Sequence, residues 1–165
     1  MDFVADQLAD GSKFRMLTIL DIYTREALAI EVGASLRGEH VVAALNRLAA
    51  HRATPAYLRV DNGSEFSGHL LDLWAYHKKC KIDFSRPGKP TDNSFIESFK
   101  GSLRDECLNA HWFTCLADAK QAIEAWRLDY NESRPHASLN GLTPQDYARK
   151  IAHLGPLKSS LNAEN

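Results

Sequence analysis

The hydrophobic period of the chain first changes at Gly38, and that change limits the fold more than any other feature. Before it lie three short apolar pieces: Asp2 to Ala5; Arg15 to Ile22, rich in Leu, Ile and Thr; and Ala27 to Val32, alternating around Ile30 and Val32. Asp10-Gly11 and Tyr23-Thr24-Arg25-Glu26 supply turns between them, so the spacing predicts three strands in an antiparallel meander. After Gly38, residues Val41, Val42, Leu45, Leu48 and Ala49 fall on one helical stripe. Thr54-Pro55 breaks that helix before a short strand, Tyr57 to Val60, which ends at the turn former Asp61-Asn62-Gly63.

A second amphipathic helix, about Gly68 to Lys79, uses Leu70, Leu71, Trp74 and Ala75, and Lys81 to Ser85 reads as a last strand. Arg86-Pro87-Gly88-Lys89-Pro90 is unsuited to helix interior. Thr91 or Asp92 then caps a helix whose buried face is Phe95, Ile96, Phe99 and Leu103. A further helix, Leu116 to Asn131, carries Ala119, Ile123, Trp126 and Tyr130 on one stripe, and Thr143-Pro144 opens a short final one. Trp74, Trp112 and Trp126 are all expected in the core. The pattern describes one α/β domain over residues 1–150, a mixed sheet flanked by helices, with residues 151–165 as a frayed tail. A right-handed crossover can return the strand ending at Asp61 to lie beside the first strand, which brings Asp2 and Asp61 together.

Charge narrows the function. Lys plus Arg number 20 against 21 Asp plus Glu, a net charge of -1, so the whole domain is no electrostatic clamp for nucleic acid. The basic excess is local: Lys78, Lys79, Lys81, Arg86, Lys89, Lys100 and Arg104 face only Asp83, Asp92 and Glu97 between residues 76 and 104, which is where a polyanion should touch. No apolar run is long enough to cross a bilayer, and the first residues lack the features of a signal peptide, so the expected location is the cytoplasm. Cys80, Cys107 and Cys115 are odd in number and form no Cys-x-x-Cys, as expected of reduced thiols. Cys107, His111 and Cys115 fall at helical spacing but are one ligand short of a structural zinc site.

Three acids attract attention. Asp61 should project from the carboxyl end of a strand, and Glu97 lies beside the apolar stripe of its helix with Asn93, Lys100, Gly101 and Arg104 around it. With Asp2 they make three hard oxygen donors, which suit Mg²⁺ or Mn²⁺. Two such ions about 3.5–4 Å apart serve phosphodiester chemistry. Spacing alone does not separate this from a turn-forming Asp and a solvated helical Glu.

Longer segments do. Met1-Asp2-Phe3-Val4, Asp61-Asn62-Gly63-Ser64-Glu65-Phe66, Pro87-Gly88-Lys89-Pro90-Thr91-Asp92-Asn93-Ser94-Phe95-Ile96-Glu97-Ser98-Phe99, Arg104-Asp105-Glu106-Cys107-Leu108-Asn109 and Tyr130-Asn131-Glu132-Ser133-Arg134-Pro135-His136 resemble the catalytic core of bacterial insertion-sequence transposases with an integrase-type DDE domain. The 35 residues between Asp61 and Glu97 match the interval that names the Asp-Asp-35-Glu class. The resemblance implies a ribonuclease-H-like fold, a five-stranded mixed sheet with strands one to three antiparallel and four and five parallel to the first. It implies Asp2, Asp61 and Glu97 as catalytic residues and ligands of a two-metal Mg²⁺ or Mn²⁺ site, cutting and joining DNA at transposon ends and targets without a covalent enzyme intermediate.

Lys89, Asn93, Lys100 and Arg104 are then candidates for DNA phosphate contact, and Asn62, Gly63, Arg134 and His136 for support of the site. Family members often carry Asn where this chain has Lys100, and commonly a second Asp where it has Ile22. Intact relatives carry a helix-turn-helix region upstream of the first catalytic Asp and act as multimers, so a homo-oligomer is expected. The alternatives are a folded, non-catalytic transposase remnant that oligomerises or binds DNA passively, and a general ribonuclease H.

Overall fold

A computed structural model describes residues 1–85 and 94–154. The elements run β1 (Asp2–Gln7), β2 (Lys13–Leu20), β3 (Ala27–Gly33), α1 (Gly38–Ala49), β4 (Tyr57–Val60), α2 (His69–Lys78), β5 (Lys81–Phe84), α3 (Ser94–Leu103), α4 (Leu116–Glu132) and α5 (Pro144–Leu154). A π-helical turn, Arg104–Leu108, continues directly from α3. Each element expected from the sequence is present, most with ends shifted by a residue or two.

Strand β2 explains the layering. Its run Met16-Leu17-Thr18-Ile19 is buried throughout, because both faces are covered. Phe14 and Met16 pack with Val4, Ile30, Val32 and, from α3 and α4, Phe99, Leu103, Ile123 and Tyr130. Leu17 and Ile19 point the other way, into Val41, Leu45, Leu58, Leu71 and Trp74 from α1, β4 and α2. The result is helix, sheet, helix, which fits a strand reading as one apolar run rather than an alternating one. Asn131 ties α4 to β3: Ala27 N–H donates to its Oδ1 at 2.8 Å and its Nδ2 donates to Ala27 O at 3.0 Å.

β1, β2 and β3 form the expected antiparallel meander, and β4 pairs with β5 in parallel. Among the described residues the ladders group as three strands and two, not as one continuous five-stranded sheet. The junction is the Met1 amino group, which donates to Arg59 O of β4 at 2.7 Å. β1 starts at Asp2, so it overlaps the end of β4 over that single hydrogen bond. Trp112 is corrected: it is 80% exposed, because it lies between the π-helical turn and α4 and not on a helical stripe.

Candidate active site

Asp2 opens β1, where its Oδ1 accepts Phe3 N–H at 2.7 Å and its carbonyl accepts the Thr18 hydroxyl at 3.1 Å. Those bonds and the cross-strand register with Thr18 fix the backbone, and the side chain keeps 17% exposure. Glu97 stands on the first turn of α3, whose buried residues Ile96, Phe99 and Leu103 anchor the helix against the sheet and leave Glu97 62% exposed.

Lys100, one turn along α3, joins the two acids. Its Nζ lies 2.7 Å from Asp2 Oδ2 and 2.9 Å from Glu97 Oε1. Burial works against its charged form, but the hydrogen bonds to Asp2 and Glu97 outweigh that and hold the ammonium above the usual lysine range. Arg104, a further turn on, donates to Ala5 O at 3.3 Å and so ties the end of α3 to β1.

Asp61 follows β4 in an exposed turn. Its Oδ1 accepts Gly63 N–H at 2.9 Å, an Asx turn that aims the carboxylate back along the loop. A Cβ at Gly63 would stand 2.9 Å from Asp61 Oδ1 and 3.2 Å from Glu65 Oε2, so any larger residue here would push the Asp61 carboxylate aside. Asn62 Nδ2 donates to Ser85 O at 3.2 Å, joining the ends of β4 and β5. Beyond them the loop is clamped to the sheet. Phe66 is fully buried and packs on Phe3 with ring centroids 5.1 Å apart. Arg15 lies 4.4 Å from the centre of the Phe3 ring and forms an ion pair with Glu65, whose carboxyl it holds below the usual range. Asp2 and Asp61 share a neighbour, since both carboxylates act electrostatically on the Met1 amino group. Burial is the larger influence on that group and lowers its pKa to about 6.

Of the three acids, Asp2 and Glu97 therefore meet on one cation, and Asp61 is linked to Asp2 only through the action of both charges on the Met1 amino group. Among the described residues no three His, Cys, Asp or Glu side chains already form a metal cage. The donor set nevertheless suits a hard divalent cation: all three are carboxylates, and an ammonium stands between two of them.

Lys89 and Asn93 lie outside the described residues. Arg134 and His136 are elsewhere: Arg134 pairs with Glu106, and the His136 ring packs edge-on against Tyr130 at 5.1 Å. The Cys107 thiol donates to Ala122 O at 3.8 Å and burial pushes it up to about 11, which keeps it protonated and away from metal chemistry. Arg15 and Glu65 were not singled out by sequence reasoning, since a Glu one residue from a buried Phe carries no signal until β2 is placed opposite.

A three-layer domain with carboxylates at the start of its first strand, just past its fourth strand and on a following helix is of the ribonuclease-H-like class. The chain belongs to the integrase core domain family, one description of which matches residues 1–90 and a second residues 78–144. It is 48% identical over 150 residues to a 31.7 kDa protein of insertion element IS407 from Burkholderia multivorans, spanning 91% of this chain and 54% of that one. It is 43% identical over 148 residues to a 39.2 kDa protein of insertion element IS476 from Xanthomonas euvesicatoria, spanning 90% and 43% respectively. The chain thus spans about half the length of these relatives.

Among solved structures, a chain of a simian T-cell lymphotropic virus intasome superposes with a TM-score of 0.76 at 12% identity, over 99% of this chain and 58% of that one. The catalytic core domain of HTLV-2 integrase, in complex with magnesium and in a trimeric form, gives 0.67 at 14%, over 88% and 94%. At such identity the likeness is one of fold.

Proposed function

We propose that this domain is the catalytic core of a DDE transposase, cutting and joining DNA strands at insertion-element ends, with Asp2, Asp61 and Glu97 holding Mg²⁺ or Mn²⁺. The observation that carries the reading is the cation bridge: carboxylates from β1 and α3, far apart in the chain, converge on one ammonium. Clustered acids whose charges are held by one cation are a common form of functional site, which supports the reading. A divalent ion held by these carboxylates would supply charge neutralisation in phosphodiester chemistry.

The chain's own residues do the rest. Asp2 is fixed by the β1 backbone, Asp61 by the Gly63 turn and the Phe66 anchor, and Glu97 by the buried face of α3. Withdrawal of Lys100 would turn its ammonium outward, toward a DNA phosphate. Arg104 adds a second cation for the strand's phosphates, and Lys89 and Asn93 are proposed as further contacts from the sequence alone. No side chain is needed as a covalent nucleophile.

The relatives' greater length leaves room for a further region, and the family resemblance implies that it is a helix-turn-helix upstream of β1 that recognises element ends. The trimeric and intasome neighbours support action as a homo-oligomer. The catalytic core is assigned to residues 1–150 and the location to the bacterial cytoplasm; no helix among the described residues is long and apolar enough to cross a membrane.

The test is metal-dependent nicking of insertion-element end DNA by a longer polypeptide carrying the upstream region. Asp61→Asn and Glu97→Gln are each expected to abolish nicking. Equal nicking by wild type and both variants would refute the reading. Preferential cleavage of an RNA/DNA hybrid would replace it with a ribonuclease H.

A further inference from the structure

On another flank of α3 a pocket of about 430 Å³ opens between that helix, the turn after β2 and the segment after α4. Ser98 and Ser102 enter it from the helix, Arg25 from the turn, and Arg134, His136 and Ser138 from the far wall. Among the described residues no carboxylate lines it. Arg25 lies 4.4 Å over the centre of the Phe95 ring and, among the described residues, pairs with no acid. Its φ of 64° is in the left-handed region, a strained choice for a residue other than Gly, Asn or Asp. Arg134 lies 5.7 Å over the Tyr130 ring and has one acidic partner, Glu106, so two guanidiniums share a single neutralising charge.

His136 completes the case. Its Nε2 is buried and finds no hydrogen-bond partner. Burial first, then the charges of Arg134 and Arg25, hold the ring below the usual histidine range, so it remains neutral at physiological pH. A buried orphan nitrogen, which donates in the Nε2–H tautomer, an unpaired guanidinium and a row of hydroxyls make a donor-rich cavity with no acid among the described residues, the complement of a tetrahedral oxyanion.

We propose that this pocket binds a backbone phosphate of the DNA substrate, flanking the phosphodiester presented to the acids. This rests on the reading of DNA as substrate. Ser98 is the residue after Glu97, so α3 alone separates the two sites and one strand laid across that helix reaches both.

The experiment uses the full chain. Binding of a short labelled duplex is followed by fluorescence anisotropy over a salt series, for wild type, Arg25→Asn and Arg25→Lys. Asn tolerates the left-handed backbone, so the first variant removes the charge and leaves the turn. Arg25→Asn is expected to weaken binding about fivefold and to reduce the slope of log K against log salt by about 0.9, the signature of one lost phosphate contact. Arg25→Lys should stay near wild type, and Mn²⁺ affinity should be the same in all three.

In a second arm, inorganic phosphate is titrated while the His136 ring resonances are read by NMR. They should move in wild type and stay still in Arg25→Asn. Equal duplex affinity and slope for wild type and Arg25→Asn would overturn the proposal, as would a phosphate shift indifferent to Arg25. A wild type that binds phosphate in the pocket but no duplex overturns the DNA assignment. An intact Arg25 effect in a protein whose acids bind no Mn²⁺ refutes the catalytic reading alone.

Discussion

Replacing Lys100 by Gln should tighten Mn²⁺ binding, although it removes a group from the middle of the site. In the wild type a divalent ion must displace the ammonium from Asp2 and Glu97. The Asp2 arm joins side chains only 17% and 26% exposed, between the surface and buried cases, and is worth about 1–2 kcal/mol. The Glu97 arm, with Glu97 62% exposed, adds no more than about 0.5 kcal/mol. Removing both costs lowers the dissociation constant about tenfold or more, since about 1.4 kcal/mol is a factor of ten. The metal-free variant should lose about 1 kcal/mol of stability, because two carboxylates have lost their counter-ion, and saturating Mn²⁺ should restore it. Mn²⁺ electron paramagnetic resonance and thermal melts read the two effects. Weaker binding by Lys100→Gln would refute the argument by making Lys100 a helper of the metal and not its competitor.

Gly63→Ala places a Cβ 2.9 Å from Asp61 Oδ1, so the carboxylate must move; Mn²⁺ affinity should fall several-fold with a small change in melting temperature. Asn131→Leu takes the amide partner from Ala27 N–H in a buried site while Ala27 O keeps Arg127, and chemical denaturation should register a loss of about 1–3 kcal/mol. Arg15 depresses the Glu65 carboxyl, so their pairing stabilises the fold above the unfolded carboxyl's pKa of about 4.3 and is lost as pH falls through the lower folded value. Arg15→Gln should therefore flatten the acid limb of the melting curve below about pH 4.3, and an unchanged limb would deny the pair that role.

The elements were legible because the chain is locally consistent. The stripe of α1 and the turn at Asp61 each carry their own signal, and the helix stripe at Ile96, Phe99 and Leu103 survives in the structure. Long-range geometry was not legible. Nothing local says that β1 and β4 meet over a single hydrogen bond from Met1, nor that Trp112 falls in a connection rather than on a stripe. Lys100 was expected to touch DNA because it is basic and close to Glu97. Its place between two acids depends on Asp2 arriving from the other end of the domain. Arg134 and His136 follow α4, which packs on the same face of the meander as α3, and they line a pocket on the Ser94, Ser98 and Ser102 flank of α3 rather than joining Asp2 and Lys100.

Diffraction from a crystal soaked in Mn²⁺, with data collected for the metal's anomalous signal, tests the shared cation site most directly. Peaks within about 2.3 Å of oxygens from Asp2, Asp61 and Glu97, with the Lys100 ammonium moved aside, are the expected result. Metal found only on unrelated surface acids, with the Lys100 bridge intact at saturating Mn²⁺, would contradict it.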